Sequence, residues 1–179
     1  KVQNLSNSED TIVLLNALNS KHNTIQLNHS GTAMRFLISL FAYEGRDIVL
    51  EGDKFLLSRP ISNLIENLNS LGADIIKVNN KIFIKSSKLI GRSLSFQFHF
   101  TSQYISSLLL VAPYIKNGID ITFDPNAYSK SYIDMTTSIM QTCGAKLEIH
   151  NNQIKVFQSA YTKSIDFIES DWTSASYLF

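Results

Sequence analysis

The sequence repeats itself. Gly72-Ala73 recurs as Gly144-Ala145, Asn79-Asn80 as Asn151-Asn152, and Ile82 as Ile154, each pair 72 residues apart. Ser30 and Ser102 share that offset, as do Ile61 and Ile133. A chain built from copies of one unit must bury in each copy a face that the unit cannot cover alone, so the copies stack around a common centre. Equivalent positions of successive units then come together in space.

One unit reads as strand–helix–strand–helix–strand–strand. In the first copy, Thr24 to Leu27 is a short strand and Ser30 opens a helix that Gly45 ends. Asp47 to Glu51 is a strand, and Asp53 to Ser58 a loop. Arg59-Pro60 opens a second helix with Pro60 in its first turn, an apolar stripe of Ile61, Leu64, Ile65, Leu68 and Leu71, and a stop at Gly72. Two strands, Asp74 to Val78 and Lys81 to Lys85, turn at Asn79-Asn80.

The second copy starts with Leu94, Phe96, Phe98 and Phe100, which alternate with polar residues as a half-buried strand. Thr101-Ser102-Gln103 opens a helix carrying Ile105, Leu108, Leu109 and Ala112, and Ile119 to Phe123 is the next strand. After a loop from Asp124 to Lys130, Ser131-Tyr132-Ile133 opens a helix with Ile133, Ile139 and Met140 inward. Strands follow at Lys146 to Ile149 and Gln153 to Phe157.

Residues 2–27 read as the back half of an earlier unit. There Ser6 and Glu9 have capping-box spacing, and Ile12, Leu15 and Leu18 share a helical face. Asp171-Trp172-Thr173-Ser174-Ala175 reads as a third opening at the front of a later unit, 165–179. The abrupt ends point to a fragment of a longer protein.

Composition narrows the function classes. With 44% hydrophobic residues and a net charge of +1, the chain can bury a core and has no electrostatic footprint for nucleic acid. No apolar run reaches membrane-spanning length. The single cysteine, Cys143, allows no internal disulfide and reads as a buried thiol in a reducing compartment. His22, His29, His99 and His150 lack metal-ligand spacing, and the loop Asp124 to Tyr128 has too few oxygen ligands for a calcium site. No metal and no cofactor are expected.

The helix openings carry the functional signal. A helix start offers unpaired N–H groups and a positive dipole end, which suits an anion. Three such openings facing one place suit a small polyanionic ligand, although each alone is also what an ordinary capped helix needs.

Five stretches, in order, resemble one family. NHSGTAMRFL is similar to the N-A-G-T-A-M-R segment of 5-enolpyruvylshikimate 3-phosphate synthases, and SRPISNLIENLNSLGA to their R-P-I…L-G-A segment. FTSQYISSLLLVAP, YSKSYIDMT and ESDWTSASYLF resemble the S-S-Q, S-K-P-Y and D-W-S-S-A-S-Y segments. The resemblance covers nearly the whole chain. Phe36 and Ser131 stand where the family commonly has proline, Thr101 where it has serine, and Ser170 where glycine or proline is usual.

The resemblance implies an α/β fold of repeated strand-helix-strand-helix-strand-strand units, with inner helices and outer sheets. This is one domain of an enolpyruvyl transferase-like inside-out α/β barrel or prism. Residues 1–179 would form a single domain, the shikimate-3-phosphate-binding half, with 165–179 starting the crossover into a missing second domain. The activity implied is 3-phosphoshikimate 1-carboxyvinyl transfer from phosphoenolpyruvate in cytoplasmic aromatic amino-acid biosynthesis, by a monomer with small-molecule partners only. The proton-transfer groups would lie mainly in the missing half, leaving the isolated fragment inactive.

Carried over by motif, Thr101, Ser102, Gln103, Ser129 and Tyr132 bind shikimate 3-phosphate. Gly31, Arg59 and Gln103 bind phosphoenolpyruvate, with Arg59 and Gln103 also the catalytic pair of this half. The residue types fit. Hydroxyls at a helix start hold a phosphate without a metal, and a guanidinium grips carboxylate or phosphate in two places. From the residues alone, Tyr132 is equally a core tyrosine and Arg59 a solvated helix-end arginine. Arg35 is left outside the site, paired with a buried carboxylate. Two other readings stand beside this one: a UDP-N-acetylglucosamine 1-carboxyvinyltransferase-like protein, and a non-catalytic repeat module that binds a partner protein.

Overall fold

The computed structural model describes residues 2–96, 101–124 and 130–170. Phe98, Phe100, Ser129, most of the loop before Lys130 and the opening at Asp171 lie outside the described residues.

The two units have the same layout. The first is β1 (Thr24–Gln26), α2 (Gly31–Glu44), β2 (Ile48–Glu51), α3 (Lys54–Ser58), α4 (Ser62–Ser70), β3 (Asp74–Val78) and β4 (Lys81–Lys85), preceded by α1 (Glu9–Asn19). The second is β5 (Ser93–Phe96), α5 (Ser102–Val111), β6 (Ile119–Phe123), α6 (Lys130–Thr142), β7 (Leu147–His150) and β8 (Gln153–Val156). Each unit makes a four-stranded sheet, ordered β1-β2-β4-β3 and β5-β6-β8-β7. In both, the first strand pair is parallel and the others antiparallel.

Register shows that the repeat is physical. Ile25, Leu50 and Ile82 lie in one row across the first sheet, and Leu94, Ile121 and Ile154 in the corresponding row of the second. All six are buried. A side-chain period of two sends this row to the core and its neighbours outward. Asn79 and Asn151 turn the equivalent hairpins, at φ 52° and 53°. The offset is 72 residues at the hairpins and 69 at the first strands, Ile25 and Leu94, because the units differ in length before their first helix.

Helices α2 and α5 form the inner layer. In α2 the buried residues include Met34, Leu37, Ile38 and Phe41, and in α5 Ile105, Leu108 and Leu109. A helix covered on most of its faces belongs inside. Full burial of each large apolar side chain contributes about 1.5–3 kcal/mol. The two helices also meet through polar groups: Ser39 Oγ donates to Ser107 Oγ at 2.9 Å, and Ser107 Oγ to the Tyr104 carbonyl at 2.9 Å. Thr136 Oγ1 bridges Ser106 Oγ at 2.9 Å and the Tyr132 carbonyl at 2.7 Å, which ties α6 to α5.

Several local expectations are corrected. Helix α1 is capped by Ser8, whose Oγ accepts from Thr11 N–H, because this places Glu9 and Asp10 in the first turn where the dipole favours acids. Its buried face is Val13 and Ala17, while Ile12 and Leu18 are exposed. Asp53 to Ser58 is not a loop: Asp53 caps the single helical turn α3, whose Leu56 and Leu57 are buried. Arg59 ends that turn rather than opening the next helix. It precedes Pro60 and takes the extended conformation that a following proline imposes, with ψ 145°. Helix α4 therefore starts only at Ser62. On α6 the inward residues beside Ile133 and Met140 are Thr136 and Thr137, and Ile139 is exposed. Cys143 is half-buried. Phe36, in the position of the family's proline, leaves α2 unbroken from Gly31 to Glu44.

Equivalent core positions should cost alike when truncated. Leu50→Ala and Ile121→Ala are each expected to lower unfolding free energy by about 2–5 kcal/mol in urea denaturation. Val78→Thr, on the outer face, should change it by less than about 0.5 kcal/mol.

Candidate functional site

The N-terminal ends of the two inner helices meet at one groove. Ser30 caps α2, its Oγ accepting from Ala33 N–H at 3.2 Å. Thr101 caps α5, its Oγ1 accepting from Gln103 N–H at 3.2 Å. The caps are thus Ser30 and Thr101, one residue off the 72-residue spacing, and Ser102 becomes the first helical residue. A groove of about 680 Å³ opens beside them, lined by Asp10, Thr32, Thr101, Ser102, Gln103 and Tyr132 among others. Donor-rich helix starts at a groove of this size suit a small anionic ligand.

Arg59, at the end of α3, reaches the start of α2. Its guanidinium lies against Gly31, where a Cβ would collide with Nη1 and lie 3.5 Å from Cζ. The bare backbone of Gly31 lets the guanidinium approach this closely, and a Cβ there would displace the tip of the Arg59 side chain. Two contacts hold the Arg59-Pro60 segment in position. Tyr104 Oη donates to the Pro60 carbonyl, and Asp53 caps α3 by accepting from Leu56 N–H at 2.6 Å. Asp53 also touches His29 Nδ1. The Leu56 amide and, after it, the His29 charge hold the Asp53 carboxyl below its ordinary value. Burial pushes the Tyr104 phenol up, against the pull of Arg35.

Of the residues expected at the site, Thr101, Ser102, Gln103 and Tyr132 line this groove, while Gly31 and Arg59 lie against each other at the start of α2, next to the groove-lining Thr32 in sequence. Tyr132 is 57% exposed, so it is no core tyrosine and presents its ring to the opening. Ser129 lies outside the described residues. Arg35 is the correction. It has no carboxylate partner among the described residues. Its Nη1 donates to Gln103 Oε1 at 2.9 Å and to the Gly31 carbonyl at 3.0 Å. Asp10 was also not anticipated: it lines the groove and accepts from Ser30 Oγ. The signal for Arg35 was its position four residues after Gly31, which returns a long side chain to the start of its own helix.

The arrangement can hold an anion and orient it. It offers two helix N-termini, hydroxyls at Thr32, Thr101 and Ser102, and the guanidiniums of Arg35 and Arg59. Arg59 depends on its cap. A carboxylate held below its ordinary value stabilises above that value and loses the effect as the pH falls through the lowered one. The protection factor of Leu56 N–H against hydrogen exchange, relative to the intrinsic rate at each pH, should therefore be high at neutral pH and fall below pH 3.8, the ordinary aspartate value. In Asp53→Asn the acid-dependent loss of protection should disappear.

Similarity to known proteins agrees with the geometry. The model of the family EPSP synthase (3-phosphoshikimate 1-carboxyvinyltransferase) matches residues 2–179. A Bacteroides fragilis protein named 3-phosphoshikimate 1-carboxyvinyltransferase is 34% identical over 179 residues, covering 97% of this chain and 44% of that protein. One of the same name from Methanobrevibacter smithii is 30% identical over 200 residues, covering 98% and 45%. The chain thus spans less than half the length of these curated relatives. Among solved structures, an EPSP synthase from Acinetobacter baumannii superposes with a TM-score of 0.71 at 21% identity, covering 88% of this chain and 36% of that one, which establishes the shared fold. The repeat, the sheet order and the family match over residues 2–179 lead to one conclusion: this chain belongs to the EPSP synthase (3-phosphoshikimate 1-carboxyvinyltransferase) family.

Proposed function

We propose that the chain forms the shikimate-3-phosphate-binding half of an enzyme that transfers the enolpyruvyl group of phosphoenolpyruvate to that substrate. The observation that carries this reading is the convergence of Thr101, Ser102, Gln103 and Tyr132 on one groove, with Arg59 against Gly31 at the start of α2. Thr101 and Ser102, joined by Ser129, hold the phosphate of shikimate 3-phosphate with hydroxyls and α5 amides. Tyr132 packs its ring against the carbocycle. Arg59 grips phosphoenolpyruvate in two places, over the bare backbone of Gly31. Gln103 lies between the two substrates.

In the reaction, the methylene carbon of phosphoenolpyruvate gains a proton and its C2 is attacked by the substrate 5-hydroxyl, which loses one. Phosphate then leaves the tetrahedral intermediate while its methyl carbon gives up a proton, and the C=C bond of the enol ether forms. Charge builds on the phosphate and carboxylate groups, and preorganised donors stabilise it best where water is excluded. This half supplies those donors. The acid and base belong to a second domain of the longer protein, and closure of the two assembles the site. The whole protein would work in the cytoplasm as a monomer.

The test is a calorimetric titration of the chain with shikimate 3-phosphate and, separately, with shikimate. The chain should bind the phosphorylated compound and not the free acid, and it should show no turnover with phosphoenolpyruvate. Ser102→Ala should weaken binding about tenfold, the loss expected for a hydrogen bond to a charged group. Arg59→Ala should leave it nearly unchanged. Equal affinity for both compounds, or turnover by the chain alone, would refute the assignment.

A further inference from the structure

We propose that Arg35 is a positioning residue that decides which end of the Gln103 carboxamide faces the groove. The inference rests on the groove being a phosphate-ester site, as proposed above. A carboxamide has two ends of nearly equal shape, an oxygen that accepts and an NH2 that donates, so packing alone does not choose between them. Arginine chooses. Its guanidinium only donates, at every accessible pH, so the Gln103 atom 2.9 Å from Arg35 Nη1 is the oxygen.

The NH2 end is thereby turned the other way. It lies 3.4 Å from Thr32 Oγ1, which accepts one of its two protons. The other proton is left for a ligand in the groove that Gln103 and Thr32 both line. A phosphate, carboxylate or hydroxyl oxygen accepts such a proton, whereas a flipped Gln103 would present its own oxygen and repel an anion.

Arg35 is itself fixed. It is only 9% exposed, and the same Nη1 donates to the Gly31 carbonyl at 3.0 Å, one turn back on α2. Its Cζ lies 5.9 Å from the centre of the Tyr104 ring. The Nε is buried with no hydrogen-bond partner among the described residues. A buried cation with no carboxylate partner among the described residues is costly. That arrangement suits a site whose missing charge arrives with the ligand.

A plain core pin between α2 and α5 would also lose stability on truncation, so stability alone does not decide. The full chain is compared with Arg35→Met, Arg35→Lys, Gln103→Ala and the Arg35→Met/Gln103→Ala double variant. Two quantities are read: the dissociation constant for shikimate 3-phosphate, and the 15N and 13C shifts of the Gln103 side-chain amide. Arg35→Met should weaken binding about tenfold, the worth of a hydrogen bond to a charged group. In the Gln103→Ala background the same change should matter less than about twofold, since interacting residues are not additive. Arg35→Lys, which also only donates, should restore most of the binding and a near-native Gln103 signal, whereas Arg35→Met should shift that signal. Additive losses, or an unmoved Gln103 signal in Arg35→Met, would overturn the proposal. Failure of the unaltered chain to bind shikimate 3-phosphate would instead sink the groove assignment, and the Gln103 shifts would still decide the role of Arg35.

Discussion

Two buried helices packed side by side impose the constraint on which this molecule depends. Once α2 and α5 lie inside, every polar group on their facing surfaces has to find a partner in the other helix or a ligand at the end. Deep in the pair the first solution applies, as Ser39 of α2 bonds Ser107 of α5. At the amino end the network is left open. There the free amides, Arg35, Gln103 and Thr32 form a half-completed network open to the groove. The sheets serve this packing, since each unit turns an equivalent row of buried side chains, Ile25-Leu50-Ile82 and Leu94-Ile121-Ile154, to the core.

Much of this was legible in the residues. Spaced pairs such as Gly72 and Gly144, or Asn79 and Asn151, fall at positions where backbone geometry is demanding, at φ 107° and 95°, and 52° and 53°. Such positions keep their residue type, so the repeat shows in them first. The succession of elements along the chain followed from the repeat. The family motifs then located Thr101, Ser102 and Gln103, which the structure brings to one groove.

What was not legible depends on tertiary context. Asp53-Lys54-Phe55-Leu56 looks like a loop because one turn is too short for a periodic stripe, and only burial of Leu56 and Leu57 makes it helical. Arg59-Pro60 has the composition of a helix start, yet the proline acts on the residue before it and ends α3 there. The inward face of α1 is Val13 and Ala17, small residues that allow close approach to α2, which a search for large apolar residues overlooks. Arg35 was misread because a buried arginine is expected to meet a carboxylate. Its actual partner is an amide from the other unit, and no spacing within one unit shows that.

The central claim is that two helix starts from successive units serve one anion. It is tested most directly by following backbone amide shifts while the chain is titrated with shikimate 3-phosphate. The amides of Gly31 to Ala33 and of Ser102 to Tyr104 should shift together along one saturation curve. Shifts confined to one helix start, or spread over the outer faces of the sheets, would contradict the account.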